Sequence, residues 1–203
     1  MKILLTGFEP FDKQAVNPSQ RIVQQLGAAQ LEGVELVTAV LPVDRFEGPD
    51  ALIRAYIKYQ PNAVVCLGEA GGRTAIAVER VAVNLLDFNI QDNKGVQVTD
   101  KPIQPDGPAA YFTTLPARSI VESLQNTGIP AALSLSAGTF LCNQIFYTLM
   151  HYLDKYQIQI PAGFIHVPQL PEQVVGKRPL PPSMSLETMS TGISIALQTL
   201  VVK

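Results

Sequence analysis

The chain has 203 residues, 47% of them apolar and only 16% charged, with a net charge of −2. That length suits one α/β domain, residues 1–203, with a full core. The near-neutral charge gives no drive toward nucleic acid or an anionic membrane, and no apolar run approaches the roughly 20 residues of a membrane span. Residues 2–6 are too short for a signal-peptide core and Gly7 ends them, so a cytoplasmic location is expected. Two cysteines, Cys66 and Cys142, cannot make a disulfide framework; in a reducing compartment each is a free thiol. So apolar a composition also points to a subunit interface.

Short apolar runs alternate with helical patterns along the chain. Ile3–Thr6 predicts a strand, Ser19–Leu26 a helix started by Asn17 or Pro18 and ended by Gly27, and Glu35–Val40 a strand. Phe46–Tyr59 carries apolar residues at a 3.6-residue period. Ala63–Leu67, closed by Gly68, reads as a buried parallel strand. Ile76–Leu85 predicts one longer strand, and Pro116–Gln125 a helix closed by Gly128. Strand Ala131–Ser136, helix Phe140–Tyr156, strand Gly163–Val167 and helix Leu186–Val202 complete the pattern. Such alternation argues for a mostly parallel sheet covered on both faces. Two stretches break the rhythm. Asp87–Ala110 is polar and turn-rich, with Asp92-Asn93-Lys94-Gly95 as a hairpin signal, and Pro168–Ser185 holds five prolines. Segments this long without regular structure usually carry function or contacts.

Cys142 follows strand 131–136 after Ala137-Gly138-Thr139 and falls in the first turn of a helix. Unpaired N–H groups and the positive end of the helix dipole there favour a thiolate and could form an oxyanion hole. The competing reading is a buried core thiol, since Cys142 also begins the apolar stripe Ile145, Phe146, Leu149 and Leu153. Cys66, in mid-strand, reads as core. Only two histidines exist. His151 lies nine residues beyond Cys142 on the same helix, roughly 13 Å along the axis and out of reach. His166 ends strand 163–167, at the sheet edge assigned to the Cys142 elbow, where a base for a thiol belongs. Glu79 is the best third member: a carboxylate in an apolar strand is costly unless another segment brings it a donor. Its plain alternative is a structural ion pair, and Asp92 is a weaker candidate. Gly71-Gly72-Arg73 could bind an anion or only reverse the chain. No metal-ligand spacing is present.

Five blocks resemble one family. They are Thr6-Gly7-Phe8-Glu9-Pro10-Phe11 with Asn17-Pro18-Ser19, Glu79-Arg80-Val81-Ala82-Val83-Asn84, Gly107-Pro108-Ala109-Ala110-Tyr111-Phe112, Ser136 to Asn143, and Phe164-Ile165-His166-Val167-Pro168. In order and spacing, from Met1 to about Gln173, they are similar to the pyrrolidone-carboxylate peptidase (pyroglutamyl-peptidase I) family. The resemblance implies a three-layer α/β/α sandwich with a mostly parallel mixed sheet, a homotetramer, no cofactor, and a Cys–His–Glu triad at Cys142, His166 and Glu79. It implies a pyroglutamyl pocket lined by Phe8, Phe11, Phe140 and Ile90 with Asn17 beside it, and peptides with N-terminal pyroglutamate as substrates. Three positions depart from the family pattern. Asn89 stands where an arginine is common, Gln91 where a proline is common, and Glu69 at a position more often uncharged. The alternatives are another enzyme on a nucleoside phosphorylase-like fold, using the Gly71-Gly72-Arg73 turn, and a non-catalytic homologue.

Overall fold

A computed structural model describes residues 1–201. Strands β1 (Lys2–Phe8), β2 (Glu35–Leu41), β3 (Ala63–Glu69), β4 (Ile76–Glu79), β7 (Ala131–Ser134) and β8 (Ala162–Val167) form a six-stranded sheet in the order β2-β1-β3-β8-β4-β7. All neighbours pair in parallel except β4 and β8. The pair β4–β7 therefore runs against the other four strands. The central strands are buried on both faces, which is why they read as continuous apolar runs.

Alternate residues feed two cores. Ile3, Leu5, Val65, Leu67, Ile165 and Val167 pack under helices α1 (Pro18–Gly27), α3 (Ala117–Asn126) and α6 (Leu186–Thr199). Leu4, Val64, Cys66 and Phe164 pack under α2 (Glu47–Tyr59) and α4 (Leu141–Lys155). The expected α/β/α sandwich with a mostly parallel mixed sheet is thus what the chain forms. None of the helices among the described residues is long and apolar enough to cross a membrane.

The expected single strand Ile76–Leu85 is two strands in two sheets. At Arg80 the chain leaves the main sheet: Arg80 N–H donates to Ser134 O, and Arg80 O accepts from Thr113 N–H. The next residues form β5 (Val81–Val83), antiparallel to the unforeseen β6 (Ala110–Phe112). Periodicity could not detect the break, because both pieces are apolar and β-branched. The Asp92–Gly95 signal gives a turn with no flanking ladder. Asp92 Oδ1 accepts from Lys94 and Val96 N–H, and Gly95 adopts φ 78°. In Pro168–Ser185 only α5 (Pro171–Val174) is regular. The predicted strand to Ser136 ends at Ser134, and helix α6 ends at Thr199; the expected terminus at Val202 lies outside the described residues.

Candidate active site

Cys142 is the second residue of α4 and is partly exposed. The predicted route to it needs correction. Strand β7 runs opposite to β8, so the Ser136–Phe140 connection does not leave the sheet edge where β8 ends. Instead this segment is anchored to Asp87, whose N–H donates to Thr139 O and whose carbonyl accepts from Thr139 Oγ1. Gly138, at φ 77°, makes the reversal. The thiol arrives against Gly68 of β3, where a Cβ would stand 2.7 Å from Cys142 Sγ and 2.7 Å from Phe164 Cζ. Only glycine fits between them. The sequence signal for this is Gly68, which closes an apolar strand and by pattern alone reads as a strand end.

Asn143 pins the first turn of α4. It is fully buried; Nδ2 donates to Val83 O and Leu85 O, and Oδ1 accepts from Val83 N–H, all within 3.1 Å. Phe140, at the N-cap, offers no side-chain acceptor to the first-turn N–H groups. Those groups are left for another partner.

His166 and Glu79 meet across the one antiparallel pairing of the six-stranded sheet. Ala77 of β4 lies opposite His166, so Glu79 sits one diagonal step along the same face. Glu79 Oε1 is 2.8 Å from His166 Nδ1, and the two are 0% and 4% exposed. A carboxylate only accepts, so Nδ1 carries the proton and Nε2 keeps its lone pair. The donor that Glu79 needed from elsewhere is in fact double. Arg73 Nη1 also donates to Oε1, at 2.9 Å, while Arg73 Nη2 donates to Ser136 O at 3.1 Å. The Gly71-Gly72-Arg73 turn therefore serves a carboxylate of the protein itself.

Cys142 and His166 line one cavity of about 450 Å³. Phe8, Phe11 and Phe140 form its aromatic side; Phe140 packs on Phe11 at 6.3 Å and edge-on to Phe88 at 4.6 Å between centroids. Asn17 also lines it, but most of its polar capacity is used: Nδ2 donates to Glu9 O, and Oδ1 accepts from Ser19 N–H and Oγ as the cap of α1. Ile90 is half-buried and does not line this cavity; its neighbour Asn89 does. The alternation is simple: with Phe88 turned inward to Phe140, the intervening Asn89 faces the opening. A larger hollow of about 970 Å³ lies at the far end of β8, among Ile158, Pro161, Ser119 and Ile195, and no titratable side chain among the described residues lines it.

Glu69 shares the cavity with Cys142. Its carboxylate accepts from Gln169 Nε2 at 3.0 Å and Gln173 Nε2 at 2.9 Å. This neutral pairing leaves its charge in the site. The consequence runs against the expected thiolate. Burial, then the charges of Glu79 and Glu69, push the Cys142 thiol up to about 12, against the opposite pull of Arg73 and the backbone N–H of Cys142. Burial also holds His166 below its ordinary value, although Glu79 acts to raise it. Both shifts act toward a neutral thiol and a neutral imidazole. Glu69→Gln removes one carboxylate facing the thiol, so the thiol pKa falls. At neutral pH its alkylation by iodoacetamide is expected to quicken by roughly three- to tenfold. An unchanged rate would show that the Glu69 charge does not reach Cys142.

A thiol at a helix start that shares a pocket with a carboxylate-backed histidine is the equipment of a cysteine peptidase. The pyroglutamyl peptidase family model matches residues 1–203. The pyrrolidone-carboxylate peptidase of Vibrio vulnificus (strain CMCP6) is 46% identical over 98% of this chain and 92% of its own. That of Gloeobacter violaceus is 48% identical over 98% and 97%. The crystal structure of pyroglutamyl peptidase I from Bacillus amyloliquefaciens superposes with a TM-score of 0.95 at 43% identity, covering 100% of this chain and 95% of that one. A mutant pyrrolidone carboxyl peptidase from Pyrococcus furiosus gives 0.95 at 39% identity, over 98% of both. The chain is therefore an enzyme of the cysteine peptidase class. It belongs to the pyroglutamyl peptidase family.

Proposed function

We propose that this enzyme, a single domain working in the cytoplasm, hydrolyses the amide bond after an N-terminal pyroglutamyl residue of peptides, with Cys142 as nucleophile, His166 as base and Glu79 orienting His166. The observation that carries the reading is the 2.8 Å bond from His166 Nδ1 to Glu79, which reserves Nε2 for a proton in the cavity that Cys142 lines. As the sulfur attacks the pyroglutamyl carbonyl carbon, Nε2 takes the thiol proton. A neutral resting pair makes that transfer part of the attack, in place of the preformed thiolate–imidazolium pair expected for a helix-terminal thiol. The uncapped first-turn N–H groups of α4 suit the developing oxyanion. His166 then hands its proton to the leaving amine, the C–N bond breaks, and a thioester remains on Cys142. Water, deprotonated by His166, opens the thioester and releases pyroglutamate and the free thiol.

Pyroglutamate is a neutral lactam, and an aromatic wall of Phe8, Phe11 and Phe140 suits its flat ring. Asn17 shapes the pocket while holding the loop before α1, with one Nδ2 hydrogen to spare. Asn89, at the opening, leaves the oxyanion to backbone groups. Selectivity rests on the ring amide: a buried polar partner left unpaired costs about 1–3 kcal/mol. A pyroglutamyl anilide is therefore expected to be cleaved at least roughly tenfold faster in kcat/KM than the prolyl anilide of the same leaving group. Equal rates would remove the lactam reading.

The homotetramer belongs to the same proposal. Phe112, Leu135, Val175 and Leu180 are 68%, 75%, 77% and 70% exposed, and subunit contacts would cover them. Light scattering is expected to give about four times the 22.0 kDa chain mass; a monomer at micromolar concentration would contradict it.

A further inference from the structure

Three features stand outside the mechanism: the apolar hollow at the far end of β8, the Tyr111–His151–Asp154 cluster between β6 and α4, and Arg73. The hollow shows nothing of what would fill it. The cluster is closed on itself, with Tyr111 Oη 3.0 Å from His151 Nδ1 and 3.1 Å from Asp154 Oδ2. Arg73 carries an argument further.

A buried carboxylate with one donor would be poorly held. Here one oxygen of Glu79 serves two donors, His166 Nδ1 and Arg73 Nη1, at 2.8 and 2.9 Å. The guanidinium is planar, so fixing Nη2 on Ser136 O fixes the direction from which Nη1 reaches Glu79. Ser136 opens the connection that ends at Cys142. Arg73 thus joins the histidine's carboxylate to the backbone leading into the nucleophile, from a turn after β3 that no regular element holds. It is one-third exposed and lines the cavity, so it is no core strut.

We propose that Arg73 is a positioning residue of this active site, clamping the Glu79 carboxylate against His166 Nδ1 and tying it to Ser136. This rests on the triad reading above. Lysine cannot do the same, because an ammonium lacks the fixed fork that reaches both acceptors.

The charged and titratable groups facing His166 are Glu79 and Arg73, with Cys142 and Glu69 in the same cavity. Arg73 disfavours a proton on His166. Neutralising it makes that proton more favourable, so the acidic limb of kcat/KM moves to higher pH. Arg73→Gln is expected to lower kcat roughly 10- to 100-fold, to leave KM within about threefold, and to move the acidic limb up by roughly one pH unit. Arg73→Lys keeps the charge and is expected to hold the limb in place while losing kcat about threefold or more. Thermal melts of both variants check folding, and Arg73→Lys tests the clamp alone should Arg73→Gln not fold. A limb unmoved in Arg73→Gln, or parental kcat in Arg73→Lys, overturns the proposal. Cys142→Ser is assayed alongside. If it is active, the triad reading has failed; if it is inert while the Arg73→Gln limb stays put, only the role of Arg73 has failed.

Discussion

Cys142→Ala is expected to lower kcat/KM on a pyroglutamyl anilide by at least about 10⁴-fold, with the fold intact. The size follows from the route. Without the sulfur there is no thioester, and no other thiol or hydroxyl among the described residues lines this cavity. Cys66 cannot substitute: it is fully buried in mid-β3, does not line the cavity, and burial pushes its thiol up to about 12. The fold tolerates the change because Cys142 is partly exposed and its packing partners, Gly68 and Phe164, gain space. A Cys142→Ala enzyme within tenfold of the parent would move the chemistry to another group.

Glu79→Gln is expected to lower kcat about 10³- to 10⁴-fold with little change in KM. Glu79 Oε1 accepts from His166 Nδ1 and Arg73 at once. A glutamine has one acceptor oxygen and an NH₂ group. If the NH₂ faces Nδ1, the imidazole must carry its proton on Nε2, the wrong tautomer for taking one from Cys142. If the oxygen faces Nδ1, the NH₂ turns elsewhere and Arg73 loses the charge that held it. The direction of the pH effect separates this residue from Arg73. Glu79 raises His166, so its neutralisation lets the histidine fall further and moves the acidic limb to lower pH, opposite to Arg73→Gln. A residual activity close to parental would leave Glu79 as a structural ion pair.

The sheet and its covering were legible because the signal is local. Ala63–Leu67 and Gly163–Val167 are apolar runs that only a doubly covered sheet can bury, and the helices on either side carry one apolar stripe each. Strand direction was not legible. Nothing in Ile76–Glu79 or Ala131–Ser134 says that this pair runs against the rest, and that reversal is what brings Glu79 beside His166. The candidate residues stood out through their rarity and cost: two histidines, two cysteines, one carboxylate in an apolar strand. Their partners did not. Arg73 and Ser136 are 63 residues apart, and Glu69 and Gln173 are 104 apart; such contacts leave no periodic trace. The groups that act on the thiol from other segments are hidden for the same reason. A helix start alone favours a thiolate, but burial and two carboxylates from other strands act the opposite way.

The most direct test is to follow alkylation and activity together. Iodoacetamide is added in the presence and absence of a non-hydrolysable pyroglutamyl amide, and peptide mapping reports Cys142 and Cys66 separately. The expected result is that loss of pyroglutamyl hydrolysis tracks modification of Cys142 one for one, that the amide protects both, and that Cys66 stays unmodified in the folded enzyme. Enzyme fully alkylated at Cys142 that still releases pyroglutamate would contradict the account.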